Sequence, residues 1–318
     1  MAIRQNVAPL VNINDLAESY SPAGQFFVGD ILVPRLQTTS SRFAYLIFDT
    51  IMQRVTGNID RAPGGDVGRV TWDVTEATGL TIERAIESGI DRKTVTDFGR
   101  AIAEARAVKA VRDYLMIQSE ARVVTLLQTA ANFLTGYKVD LTANTDKWDD
   151  LENSDPEDDV RTGVDAIQKG AQITPNIMNI PYPVASKLAQ HPAVRDVLIR
   201  DGRGSGSEAL RLDGRAGLPA ELWGLQVVVP KVSYVTSNVG ATETNGYLWG
   251  NHVTLLYATG SPSVDTPSFA YNFTSHPQQF NLGNTNKAGG GEYVEGWEDC
   301  LEKIVGTKMG YFIENVIQ

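Results

Sequence analysis

Three histidines, one cysteine and one dense run of acids are the residues of this chain whose types could do chemistry. The acids are Asp149, Asp150, Glu152, Asp155, Glu157, Asp158 and Asp159, and such a run invites a calcium reading. Counting from Asp149, Leu151 takes position 3, Ser154 stands where an EF-hand loop needs Gly, and Val160 where it needs Glu. A polar linker running into a helix N-terminus accounts for the acids instead, because the helix dipole favours carboxylates there. His191, His252 and His276 are far apart and none belongs to a HExxH pattern. With a single thiolate they cannot build a zinc ribbon or an iron–sulfur cluster. Cys300 lies in an apolar strand candidate and reads as a small core residue. Gly202-Arg-Gly-Ser-Gly206 leads into no Gly-Lys-Ser/Thr, and Ser207 replaces the third Gly of a dinucleotide fingerprint, so a loop tip is expected there. No Gly-x-Ser-x-Gly elbow occurs. Asn272-Phe273-Thr274 matches a glycosylation sequon, which carries little weight without a signal peptide. The expectation is a non-enzyme, with no catalytic, cofactor-binding or metal-ligating residue and no cofactor.

The elements that such residues would need around them are easier to read. The chain has 318 residues, long enough for two domains and a substantial core without disulfides, which its one cysteine could not form. Twenty-eight basic against 38 acidic residues give a net charge of −10, a poor prior for gripping phosphate. No apolar run approaches the ~18 residues of a membrane span, and none at the start suits a secretory signal. Residues 1–40 carry Leu10, Val11, Ile13, Leu16, Phe26, Phe27, Ile31 and Leu32 in no sustained helical period, punctuated by Pro and Gly. They read as an extended arm that packs on something else. Residues 41–90 read as a long two-stranded excursion: Phe43–Phe48 is one β-like run, Val70, Trp72 and Val74 alternate in another, and the tip between them is turn-rich. A long hairpin is marginal alone in water and implies a surface to lie on.

Residues 94–134 carry the longest helical signal, with Thr94–Asp97 as a capping-box start and apolar residues from Phe98 through Leu115 and Leu127 to Leu134. Uninterrupted, such a helix would be roughly 60 Å long, a spine laid across a flat domain, with a break near 117–121 as the alternative. A second helix is expected from the box Ser154-Asp-Pro-Glu157 to Gly170. From 172 to 280 short α/β elements follow: a strand at 177–180, helices from Pro183 and Pro192, a Gly-rich loop over 200–217, and strands at 225–230, 247–250 and 253–257. The last 30 residues hold a Gly run at 289–291 and strand candidates at 298–305 and 308–313.

In order and wording these segments resemble the major capsid proteins of tailed double-stranded-DNA bacteriophages, the Hong Kong 97-type fold. DFGRAIAEARAVKAVRDYLMIQSEA (97–121) resembles the family's spine helix, with a Glu in its later half. KWDDLENSDP (147–156) is similar to the segment that links the spine to the next helix. Thr174-Pro-Asn176, Leu188-Ala-Gln-His-Pro192, Leu222-Trp-Gly-Leu225 and Trp249-Gly-Asn251 resemble landmarks of the axial domain. The likeness spans roughly 30–318. It implies an α+β fold divided into an N-terminal arm (1–40), an extended β-hairpin loop (41–90), a peripheral domain with the spine (91–171), an axial domain (172–280) and return strands to the peripheral domain (281–318). It also implies a capsid protein that self-assembles into the hexamers and pentamers of an icosahedral virion shell, assembled in the host cytoplasm. Further implied partners are a separate scaffolding protein, since a scaffolding domain ahead of the arm either has no room in this chain or has been removed, a portal and a decoration protein. Packaged DNA would be enclosed without sequence-specific binding, an acidic interior repelling it, with no membrane involved. Apolar surface of the arm and hairpin would be buried only in the shell. An encapsulin-type nanocompartment shell is the rival within the fold, and a soluble α/β enzyme without a recognisable motif the rival outside it.

Overall fold

The structure is a computed structural model, which describes residues 13–20, 25–48, 63–64, 75–90, 92–143, 146–200, 216–237, 240–285 and 291–318. The strand expected around Val70–Val74, most of the hairpin tip, the Gly-rich loop from 201 to 215 and Gly289–Gly290 lie outside them. In chain order the elements are α1 (Ile13–Ser19), α2 (Gly29–Leu32), β1 (Arg35–Gln37), β2 (Arg42–Ile47), β3 (Thr75–Leu80), β4 (Ile82–Ile90), α3 (Arg92–Phe98) and α4 (Arg100–Leu127). There follow β5 (Lys138–Asp140), α5 (Pro156–Ala171), β6 (Ile177–Asn179), α6 (Tyr182–Leu188), α7 (Pro192–Arg200), β7 (Glu221–Leu222) and β8 (Leu225–Val228). The last are β9 (Ser233–Val235), β10 (Asn245–Tyr247), β11 (Val253–Leu256), β12 (Ala270–Thr285), β13 (Gly291–Ile304) and β14 (Gly310–Glu314).

Two sheets organise them. A four-stranded sheet runs β1-β12-β13-β4, and a six-stranded mixed sheet runs β5-β14-β11-β6-β8-β7. Two further pairs stand apart, β2 with β3 and β9 with β10. Sheet membership does not follow chain order, since β5 and β14 flank each other at the far side of the sheet built by β6, β8 and β11.

The spine helix lies on the four-stranded sheet and then enters the main core. Its first half buries Ala103, Ala107, Val108, Val111 and Leu115 against Ile90, Phe280 and Val294 in a small cluster with Ala17 of α1. Its second half sends Val123 and Leu127 into the large core, which holds the six-stranded sheet with α5 and α6. Gly296 of β13 lets the helix approach this closely, because a Cβ there would meet Val111 Cγ1 at 2.5 Å and Leu115 Cδ1 at 3.0 Å.

Several local expectations are corrected. The forty-residue helix is two: Gly99, at φ +90°, separates seven-residue α3 from 28-residue α4, about 42 Å long. The break therefore falls at the one residue that accepts a left-handed backbone freely, and not near 117–121. Thr94–Asp97 lies inside α3 and not at a helix start, and beyond Leu127 the chain makes a 3₁₀ turn, with Leu134 exposed. At the next helix Asp155, not Ser154, is the N-cap; its carboxylate accepts from Asp158 N at 3.2 Å. Ser154 is engaged elsewhere, donating to the Asp150 carbonyl at 2.6 Å. Gly170 does not end that helix, since the left-handed residue is Gln172 at φ +59° and Gly170 instead makes room for Tyr137. The arm is not wholly extended: it forms α1 and α2, and Val28, Leu32, Val33 and Leu36 are buried in this chain's own core. Leu248-Trp-Gly250 follows β10 without extending it.

Candidate functional site

Most of the residues singled out by chemical type make hydrogen bonds within the fold. Among the described residues no group of His, Cys, Asp and Glu could hold a metal ion. Asp155 caps α5, Glu157, Asp158 and Asp159 sit in its first turn, and Asp159 accepts the indole N–H of fully buried Trp148 at 2.8 Å. Asp150 accepts from the backbone of Glu152 and Asn153 at 3.1 and 3.2 Å, a turn closed on its own carboxylate. His191 takes the N–H of Ala193 on Nδ1 at 3.2 Å and meets Ser154 Oγ with Nε2 at 3.3 Å. His252 takes the N–H of Asn315 on Nδ1 at 3.0 Å and packs on Phe312. Burial lowers the pKa of both histidines, consistent with neutral rings used as hydrogen-bond fixtures. Asn272 of the sequon is buried within β12.

Cys300 is buried as expected, but its surroundings are polar. Arg122 of α4 forks between Glu298 Oε1 at 2.5 Å and Glu302 Oε1 at 2.9 Å and brings Nη2 within 3.4 Å of Cys300 Sγ. Burial, then Glu298 and Glu302, push the thiol pKa up to about 12, which makes it a poor nucleophile. The knot lies where α4 passes from the small core to the large one.

What the fold positions with care is an extension. The β2–β3 hairpin pairs Arg42 with Leu80 and Ile47 with Thr75. Its two feet are joined, Thr81 N to Ser41 O at 2.8 Å. Both feet are fixed to one buried carboxylate of β13. Asp299 Oδ2 accepts Ser41 Oγ at 3.0 Å and Ser275 Oγ at 3.0 Å, with His276 Nδ1 at 3.8 Å. Burial pushes the Asp299 carboxyl up, and the hydroxyls of Thr81, Ser275 and Ser41 bring it below its ordinary value. Beside the root, Phe43 and Tyr45 stack on Phe273 with ring centroids 4.5 and 5.1 Å apart. At the foot of the hairpin Leu80 is 62% exposed, and Ile82, the first residue of β4, is 50% exposed.

A second projection is the β9–β10 ribbon, where Tyr234, Val235 and Tyr247 are exposed. It follows the end of β8; at the start of that strand the turn Trp223-Gly224, with φ values of +51° and +82°, joins β7 to β8 by a tight hairpin.

No family model matches the sequence, and no curated protein matches it. Solved structures do. A phage-related protein from Bordetella bronchiseptica superposes with a TM-score of 0.68 at 21% identity, covering 96% of each chain. The capsid protein of the cyanophage P-SCSP1u gives 0.61 at 13% identity, over 93% of this chain and 90% of that one. This is the Hong Kong 97-type capsid fold. A virus-like particle from Pyrococcus furiosus gives 0.53 at 11% identity, over 95% of this chain and 96% of that one. Among the described residues uncovered apolar side chains lie at Leu80 and on the β9–β10 ribbon at Tyr234, Val235 and Tyr247, and also on the spine helix at Ile102 and Tyr114. The sequence landmarks take structural roles within the capsid fold: Trp148 is fully buried beside Val316, and Trp249 is 2% exposed with its indole on Glu120. Glu120, Asp299 and Arg122 are the polar residues that organise the joints, and none was singled out by chemical type. One signal was available: Glu120 stands three and seven residues before Val123 and Leu127, on the apolar stripe itself.

Proposed function

We propose that the chain is a major capsid protein that self-assembles into hexamers and pentamers of an icosahedral shell enclosing packaged double-stranded DNA. The observation that carries this reading is a capsid fold matched along nearly the whole of both chains. The anchored β2–β3 hairpin, with Leu80 exposed, supports it, because a two-stranded excursion gains its burial from a neighbour. Function is then geometry: repeated heterologous contacts between identical wedges close a shell. Residues 1–40 act as the arm, 41–90 as the extended loop, 91–171 with 281–318 as the peripheral domain, and 172–280 as the axial domain. A separate scaffolding protein, a portal and a decoration protein are the partners; DNA is enclosed and not gripped, in keeping with the net charge of −10. The virion is its location, and no catalytic role is proposed. Among the described residues no helix is long and apolar enough to cross a membrane.

The likeness to a virus-like particle from Pyrococcus furiosus favours a second reading, a nanocompartment shell with protein cargo. Negative-stain microscopy of the expressed chain, alone and with a scaffolding protein encoded beside it, tests both. Rings or closed shells are expected. Protein cargo inside such shells would favour the compartment, and persistent monodisperse monomers would reject both and favour a soluble enzyme.

A further inference from the structure

The spine helix covers one face of the four-stranded sheet. Gly296, Glu298, Cys300 and Glu302 of β13 point to it, where Val111, Leu115 and Arg122 meet them. Alternation puts Tyr293, Glu295, Trp297 and Asp299 on the opposite face. That face carries the hairpin root at one end and, among the described residues, lies open beyond it, with Glu83, Ala85, Glu87 and Gly89 of β4 exposed. The register sets Glu87 directly across from Glu295, and Glu83 directly across from Asp299. Directly opposed residues share a face, and like charges so placed repel. Among the described residues the side chains of Glu83, Glu87 and Glu295 have no hydrogen bond or ion pair. Beside them β12 adds Gln279 and Asn281, and Lys303 of β13 lies beyond Leu301, on the far side of the hairpin root.

Two aromatic side chains share the open face with the acids. The ring of Tyr293 lies across Gly283 of β12, where a Cβ would collide with it. Trp297 packs beside His276, ring centroids 5.4 Å apart, and stays partly exposed. At the margin Asp299, 6% exposed, keeps Oδ1 without a hydrogen-bond partner while Oδ2 holds the hairpin root. Opposed carboxylates beside flat rings are complementary to one chemistry. A guanidinium is attracted to the face of an indole, and its fork can satisfy two carboxylates at once. We propose that this face is a docking site for an extended, arginine-bearing segment of another protein. Arginines at alternate positions of such a strand stand about 7 Å apart, the spacing of Tyr293, Glu295, Trp297 and Asp299 along β13. Cations then fall between the opposed acids and beside Trp297. With a net charge of −10, this chain is itself a poor source of such a segment. The free subunit bears the repulsion of the opposed acids and binding removes it, so the acids serve recognition and not folding. The site belongs to the single subunit, whether or not that subunit builds a shell.

Fluorescence anisotropy of a labelled peptide of alternating Arg and Thr, with the unassembled full-length subunit at physiological salt, tests the site. The unaltered chain should bind the peptide, and E87Q/E295Q should bind it about tenfold more weakly, the loss of one charge-assisted contact. E152Q/E221Q, which removes the same charge from exposed acids elsewhere, should bind as the unaltered chain does. The lysine counterpart should bind more weakly than the arginine peptide, having no plane to lay beside Trp297. E87Q/E295Q should unfold at the same or a higher urea concentration, since it relieves a like-charge pair. A lower midpoint would make the acids structural and overturn the proposal. Equal losses in the two double variants would mark attraction to net charge alone and overturn it, as would equal affinity for the two peptides or no binding. Binding only after residues 49–74 are replaced by a Gly-Ser turn would place the chain's own excursion on the face. Self-association lost in E87Q/E295Q, with no peptide bound, would place a second copy there. Either result overturns the proposal.

Discussion

At the scale of single residues, the polar groups buried at the joints of this fold are held by several partners each, and their titration follows from those partners. Asp299 is the clearest case. Its side chain is 9% exposed, and the hydroxyls of Thr81, Ser275 and Ser41 lower its pKa against the opposing effect of burial. A carboxyl whose folded pKa lies below its unfolded one binds fewer protons when folded, so it contributes stability that is present above the unfolded value of 3.8. That contribution is lost as pH falls through the folded pKa. D299N removes it at every pH. The urea midpoint of D299N should therefore lie below that of the unaltered chain at pH 6, and the gap should narrow as pH is taken toward 3. A gap that stays constant over that range would mean that the carboxylate charge does not hold the hairpin root. Little of this was legible in the sequence, because Ser41, Thr81, Ser275 and Asp299 are brought together only by the sheet register. Cys300 was legible in burial and not in company: alternation along β13 puts Glu298, Cys300 and Glu302 on one face, and only the position of α4 shows that Arg122 meets them.

At the scale of elements, periodicity located several strands and helices of the core, misplaced their ends and missed β12. The runs at 43–48, 177–180 and 253–257 became β2, β6 and β11 with ends shifted by one residue, because alternation or continuous apolar character is a local property. Ends depend on partners. The break at Gly99 and the cap at Asp155 are set by backbone conformation, and many residues other than Gly99 would fit a helical stripe equally well. The buried face is not the whole apolar stripe: Ile102 is 47% exposed, while Ala103 and Ala107 face the sheet, since small residues allow the close approach that Gly296 also serves. The approach is testable. G296A places a methyl group where Val111, Leu115 and Phe280 already stand within 3.0 Å. It should destabilise the subunit by about 1–3 kcal/mol, as overpacking of a close-packed core does, read from urea unfolding at constant m-value. A neutral effect would mean that the helix can rise off the sheet without loss, and the spine would then be a loosely seated element.

For the whole molecule, the order of segments carried more than any one of them. The arm, hairpin, spine and mixed α/β region were readable because each has its own texture: scattered prolines, alternation, a long stripe, short mixed elements. How they interlock was not readable, since the pairing of β1 with β12 and the return of β14 to the six-stranded sheet are contacts between distant parts of the chain. Their burial bears on assembly. The arm residues Val28, Leu32, Val33 and Leu36 are already covered within one chain, so they are not the surface that association buries. The rest of the 41–90 segment is the better candidate, and part of it can be removed without touching the core. Ile47 pairs with Thr75, so residues 49–74 can be replaced by a short Gly-Ser turn that leaves buried Phe48 and its N–H bond to Val305 O at 2.7 Å in place. The shortened chain keeps the packing of Phe43 and Tyr45 on Phe273. It should stay folded by circular dichroism, run as a monomer in size-exclusion chromatography and form no shells under conditions where the full chain does. Shells of normal size from the shortened chain would show that association runs through other surfaces, with the β9–β10 ribbon the next to remove.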